Sequence, residues 1–162
     1  MYIQLYLMRR KEKKGRFSAE WIADHCIAVR LRLLTRAVTR LYNDALRSHG
    51  ITISQMNILV AVWRMREAKQ GDVCRALFLE KSTLSRDVER MIARGWLKSM
   101  QGVDRRTGFL SITPAGQRLL EKTFPAWNRA QQQARALLRE EDLDALNRAV
   151  RSLRSGNPAE PN

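Results

Sequence analysis

One apolar stripe constrains this chain more than any other feature. Ile22, Cys26, Val29, Leu33, Ala37, Leu41 and Ala45 recur at steps of three and four residues, the period of one face of an α-helix. Ser18 stands where an N-cap belongs, with Phe17 and Ile22 placed as a hydrophobic staple around it. Gly50 ends the pattern, after Arg47 and His49, cations that suit the negative end of a helix. One helix over about 19–48 would be roughly 45 Å long. A small core cannot cover that length. The stripe is therefore expected to leave its own lobe and pack on something else, most simply a second copy of the chain.

The chain has 162 residues, enough for one domain with an extended arm. Lys and Arg number 30 against 16 Asp and Glu, a net charge of +14. Such a surplus favours nucleic acid or an anionic surface as partner. It is spread along the whole chain and locates no site by itself. No run of about 18 apolar residues offers a membrane span. The basic cluster Arg9 to Arg16 follows the apolar prefix Met1 to Met8, the reverse of a secretory leader. Two cysteines, Cys26 and Cys74, make neither a disulfide framework nor a zinc finger. A cytoplasmic, reduced protein is expected, with a flexible basic arm over 1–17.

After Gly50, Ser54 is placed to cap a helix over about 55–66, with Met56, Leu59, Val60 and Trp63 inward. A short helix over about 70–78 has no capping residue at its start. Leu79 to Lys81 makes a turn, and a further helix runs over about 82–94 to Gly95. In this helix Leu84, Val88, Met91 and Gly95 share one face, with Ile92 beside them. Ser82, Ser85, Arg86, Glu89, Arg90 and Ala93 share the other. The outward face opens with Ser82, Thr83 and Ser85 and continues into arginines. Hydroxyls and backbone N–H groups at a helix start suit phosphates, and an arginine in the major groove can grip guanine.

The period then changes from helical to alternating. Trp96 to Gln101 and Phe109 to Thr113 read as two short strands around a polar, Gly-bounded tip carrying Asp104, Arg105 and Arg106. Two helices followed at once by a basic hairpin describe a winged helix. Its tip can deliver arginine to a narrow minor groove. Asp104 is better suited to holding an arginine in place than to meeting DNA itself. Thr113 and Pro114 open a helix reaching about 139, and a last helix covers about 141–154. The tail 155–162 is expected to be disordered.

The segments RLYNDALRSHGITISQMNILVAV, GDVCRALFLEKSTLSRDVERMIARGWL and DRRTGFLSITPAG, in that order, resemble the MarR family of bacterial transcriptional regulators. The likeness spans residues 26–154. It implies a mainly α winged helix-turn-helix with a two-stranded wing, dimerised through long N- and C-terminal helices over 18–50 and 114–154. The DNA-binding lobe is then 51–113. It also implies palindromic double-stranded operators, a homodimer and regulation by a ligand or an oxidant; repression of nearby genes, released by an effector, is the function expected. Carried over residue by residue, Ser82, Thr83, Ser85 and Arg86 take recognition-helix positions, with Arg90 on the same face. Asp104 and Arg106 take the wing's Asp-x-Arg, with Arg105 between them. Phe78 departs from the pattern, standing in a turn where glycine is common. So does the third helix, which lacks the usual hydroxyl cap.

Some relatives sense peroxides with a cysteine near the start of the long helix, paired with a tyrosine further along it. Tyr42 matches that tyrosine in register. Cys26 stands about two residues from the sensing position, which falls at Ala28. Packing on the apolar stripe is the competing role for Cys26. Cys74 is expected as inert core. Asp24, His25, Cys26 and His49 cannot easily share an ion, because neighbouring helical residues point apart. No metal, cofactor or catalytic motif is expected. Arg32, Arg36 and Arg40 form a stripe down the long helix, either a solvated rim or one wall of a pocket for a phenolic or anionic effector. Trp21, Trp63, Trp96 and Trp127 are candidate lining. Two further readings stay open: an architectural DNA binder that needs no effector, and a thiol-based sensor using Cys26.

Overall fold

The computed structural model describes residues 19–101 and 108–155. The basic arm, the Phe17–Ser18 cap, the wing tip with Asp104, Arg105 and Arg106, and the tail beyond Ser155 lie outside these residues. The elements in chain order are α1 (Ala19–His25), α2 (Ile27–Leu46), a 3-10 turn (Arg47–His49), α3 (Ile53–Met65), β1 (Ala68–Lys69), α4 (Gln70–Leu77), α5 (Lys81–Ala93), β2 (Leu97–Gln101), β3 (Gly108–Ile112), α6 (Pro114–Ala136) and α7 (Glu140–Ser155). This is a mainly helical winged helix-turn-helix. The chain divides into two compact units, 1–37 and 38–162, with the boundary inside α2.

In the first unit the expected single helix is interrupted at Cys26. The i→i−4 bonding carries through it: Cys26 N–H donates to the Ile22 carbonyl at 2.8 Å, and Arg30 N–H to the Cys26 carbonyl at 3.2 Å. Side chains compete for carbonyls at this point. His25 Nδ1 lies 2.9 Å from the Trp21 carbonyl, and the Arg30 guanidinium donates to that of Asp24. Both carbonyls thus take a side-chain contact beside the joint of α1 and α2. The His25 ring also stacks on Trp21, with centroids 4.5 Å apart. None of the described residues of this unit is buried; Ile27, Leu31 and Leu33 are all more than half exposed.

The second unit holds the core. Gly50 takes φ +68°, and its N–H closes the 3-10 turn on the Arg47 carbonyl at 3.0 Å. Helix α3 starts two residues earlier than expected, because Thr52 and not Ser54 is the cap. The Thr52 hydroxyl accepts from Gln55 N–H at 3.3 Å, and the Gln55 side chain accepts from Thr52 N–H at 3.2 Å, a reciprocal capping box. The inward face of α3 also differs from expectation. Val60 and Trp63 are exposed, while Ile58, Ala61 and Val62 are buried beside Met56 and Leu59. Helix α3 packs on α4, β1 and β3 as well as on α6. Its buried arc is therefore wider than one stripe and is set by neighbours, not by side-chain size.

Leu84, Val88 and Met91 of α5, Val73 of α4, Leu97 of β2 and Leu110 of β3 complete this core with Leu46 and Ile51. Gly95, at φ +71°, ends α5: its N–H donates to Ile92 and the Trp96 N–H to Met91, at 2.8 and 2.9 Å. That pair of bonds is a Schellman motif, whose left-handed residue favours glycine. The sheet has three strands, not two, in the order β1-β3-β2 and antiparallel throughout, with Ala68 opposite Leu110 and Ser99 opposite the same residue. A two-residue strand such as β1 is too short to show alternation.

Helix α6 opens as expected, with Pro114 in its first turn and the Thr113 hydroxyl accepting from Gly116 N–H at 3.0 Å. A Cβ on Gly116 would lie 2.3 Å from the Trp96 carbonyl oxygen, so only glycine lets α6 pass this close to the start of β2. Ala130 and Ala134 of α6 pack with Tyr42, Val38, Leu41 and Trp127 in a second, smaller core. Helix α7 begins at Glu140, where the Arg139 side chain and N–H both bond the Asp142 carboxylate and hold it below the usual carboxylate range.

Candidate nucleic-acid interface

Helix α5 separates its two faces as the spacing predicts. Leu84, Val88 and Met91 are essentially fully buried, while Ser82, Thr83, Arg86, Glu89 and Arg90 are exposed and Ser85 is half-buried. Burial of three apolar side chains fixes the rotation of the helix, so the polar face is presented in one orientation. Arg86 makes no hydrogen bond or ion pair with any described residue. Arg90 lies 3.7 Å from the Asp87 carboxylate. Asp87 is itself mostly covered and accepts from the Gln55 carboxamide at 3.4 Å. Ser85 Oγ donates to Glu89 Oε1 at 3.1 Å.

Helix α4 starts without a side-chain cap at Lys69, as its sequence predicts. The α4–α5 turn is held by Phe78 in the left-handed region, φ +51° and ψ +44°, with its N–H on the Cys74 carbonyl. Phe78 is 66% exposed, so no burial of its ring accounts for that backbone. After α5, the Arg94 guanidinium donates to the Gly50 carbonyl and lies 4.9 Å over the Trp96 ring. Arg94 is thereby a brace between the end of α5 and the turn before α3. Sequence reading passed over it; an arginine beside a helix-ending glycine was the available signal.

The wing's strands are in full register from Leu97 opposite Ile112 to Gln101 opposite Gly108. Lys69 of β1 lies 5.6 Å over the Phe109 ring. Asp104, Arg105 and Arg106 fall between the described strand ends.

The other candidates are dispersed. Tyr42 is buried, its hydroxyl donates to Gln131, and burial pushes its phenol up from the ordinary value. Cys26 is half-buried at the α1–α2 joint, and Cys74 is half-buried against the core. Arg40 is paired with Asp44 at 3.7 Å on the surface. Trp96 is under Arg94, and Trp127 stands beside Tyr42 and Phe124. Trp63 instead lines an open groove of about 560 Å³ between α3 and α6, with Met56, Val60, Leu120 and Phe124 as its apolar wall and Gln117 and Glu121 at its edge. Among the described residues no cluster of His, Cys, Asp and Glu is placed to hold a metal, and no helix is long and apolar enough to cross a membrane.

A sequence model of the MarR family matches residues 49–107, from the end of the 3-10 turn through the wing tip. An uncharacterised HTH-type transcriptional regulator of Bacillus subtilis (strain 168), YwoH, is 23% identical over 116 residues, 72% of this chain and 85% of its own. A probable transcriptional regulator from Pseudomonas aeruginosa has a similar crystal structure, with a TM-score of 0.72 and 25% identity over 81% of this chain and 98% of that one. The structure of BpsR from Bordetella bronchiseptica, whose DNA binding is regulated by 6-hydroxynicotinic acid, gives 0.71 at 21% identity over 86% and 98%.

Proposed function

We propose that the chain is a transcriptional regulator of the MarR family, whose model it matches over residues 49–107, and that it is a cytoplasmic homodimer that represses nearby genes by binding a palindromic operator. The observation that carries this is the construction of α5: three buried apolar residues lock it, and Ser82, Thr83, Arg86 and Arg90 stand on its free face. Such a helix fits the major groove, with hydroxyls and backbone N–H groups toward phosphates and arginine toward guanine. Asp104, Arg105 and Arg106 serve the adjacent minor groove, and the basic arm adds non-specific attraction to the phosphates.

Dimerisation rests on 18–50 and 114–154, with 51–113 as the DNA-binding lobe. Ile27, Leu31 and Leu33 of α2 and Leu146 and Leu153 of α7 are exposed apolar surface within these segments. A second copy is the partner that repeats such a surface by symmetry. Two copies of α5 then lie about 34 Å apart, one turn of DNA.

Release by a small phenolic or anionic ligand is supported by the groove of Trp63, Val60 and Phe124 and by the ligand control of BpsR. It is preferred to thiol oxidation, because Cys26 stands about two residues from the position that senses peroxide in the relatives and lies on the apolar stripe. The test is to map binding sites on the protein's own genome and titrate the strongest site against bulk DNA. An operator preference of roughly 10³ or more is expected. Equal affinity for bulk DNA would favour an architectural role. Loss of binding in mild peroxide, absent in Cys26→Ser, would restore the redox reading.

A further inference from the structure

On the free face of α5 two ridges run side by side. Ser82, Arg86 and Arg90 are spaced by four residues and form one; Ser85 and Glu89, also four apart, form the other. The first ridge carries arginines, which donate hydrogen bonds and cannot accept them. The second is different in kind. A carboxylate only accepts, so the 3.1 Å contact between Ser85 Oγ and Glu89 Oε1 uses the one hydroxyl hydrogen that Ser85 has. What remains on that ridge is the serine lone pairs and the carboxylate oxygens, all of them acceptors.

Phosphate oxygens have no hydrogen to give, and their charge repels Glu89. The second ridge therefore cannot rest on the DNA backbone. In the major groove guanine shows acceptors at N7 and O6, and thymine shows an acceptor and a methyl group. Only cytosine, through N4, and adenine, through N6, show a donor. We propose that Ser85 and Glu89 act as one specificity element that reads an exocyclic amino group in the major groove, one base per half-site. This deepens the proposed function and rests on α5 being the recognition helix. It also revises the sequence expectation for Ser85, whose hydroxyl is committed to Glu89 and is not a phosphate donor. The arginine ridge and the acceptor ridge together fix the register, because each is repelled or left unpaired where the other is satisfied.

The experiment selects binding sites from random duplex DNA with the full-length wild type, Glu89→Ala, Glu89→Gln and Ser85→Ala. The wild type is expected to enrich adenine or cytosine about tenfold over guanine and thymine at one position per half-site. Replacing that base by its analogue without the amino group, purine for adenine or 2-pyrimidinone for cytosine, identifies the group being read. The analogue should weaken the wild type about tenfold and leave Glu89→Ala unchanged. Glu89→Gln keeps an acceptor oxygen and should keep the preference. Ser85→Ala, which leaves Glu89 in place, should lower it. If Glu89 were only a repulsive charge, Glu89→Gln and Glu89→Ala would both tighten binding to every sequence equally, and that result overturns the proposal. So does a selected motif that is the same with and without Glu89. Failure of the wild type to select any motif would instead overturn the recognition-helix reading on which the proposal stands.

Discussion

The carboxamide of Gln55, buried at 7% exposure, donates to the carboxylate of Asp87 at 3.4 Å, and its oxygen accepts from Thr52 N–H at 3.2 Å. One side chain thus caps α3 and holds the middle of α5, whose Asp87 in turn faces Arg90. Gln55→Ala removes both bonds and leaves a mostly covered carboxylate with one partner fewer. A loss of about 1–3 kcal/mol in stability is expected, read from urea unfolding. Gln55→Ala should also weaken operator binding, because α5 loses a brace while the residues proposed to face DNA remain. Unchanged stability would show that the capping box and its reach to Asp87 contribute nothing.

Phe78 takes a left-handed backbone that costs an L-residue about 1–2 kcal/mol, and its exposed ring recovers little by burial. Phe78→Gly is expected to leave the melting temperature equal or higher, since glycine adopts this conformation freely. Phe78→Val, stiff at the branched carbon, should lower it. A large loss on Phe78→Gly would mean that the aromatic ring is covered in the assembled protein.

Tyr42 gives a pH dependence with a definite sign. Burial raises its phenol above the ordinary value of 10.0. Its contribution to stability is complete below the unfolded phenol value and is lost as pH rises through the folded one. Tyr42→Phe also removes the hydrogen bond to Gln131, worth about 0.5–1.5 kcal/mol at neutral pH. The stability difference between wild type and Tyr42→Phe should therefore shrink above about pH 10. A difference that stays constant up to pH 11 would place the phenol in water.

Arg86 stands on the free face of α5 without a described partner, and a base contact is the role proposed for it. Arg86→Ala should cost about 1–3 kcal/mol on the operator and relax preference at one base per half-site. An equal loss on operator and random DNA would make Arg86 a phosphate contact.

Strong periodicity and terminal chemistry made most of this architecture legible. The faces of α5, the glycine stops at Gly50 and Gly95, and the Thr113–Pro114 start of α6 all follow from local rules that the folded chain obeys. What was not legible came from partners distant in sequence. Val60 and Trp63 look like core on their own helix, yet the sheet and α4 claim its other side. Strand β1 is two residues long and exists only because β3 lies beside it. The break at Cys26 falls inside an unbroken apolar period, so spacing does not reveal it. The Ser85–Glu89 pair was readable as an i,i+4 spacing; only its geometry shows which group donates.

The wing supplies the last prediction. Asp104 and Arg106 are two residues apart in a strand-bounded tip, so in an extended stretch both side chains point the same way. Asp104 is expected to orient an arginine, Arg106 first, for the minor groove, leaving Arg105 to meet phosphate. Arg106→Ala should weaken operator binding without lowering the melting temperature. Asp104→Ala should reproduce much of that loss, although it removes a negative charge near DNA. Plain electrostatics predicts the opposite sign, since less repulsion means tighter binding. Operator affinity of Asp104→Ala at fixed salt separates the two accounts. Weaker binding supports the orienting role; tighter binding reduces the wing to a basic patch.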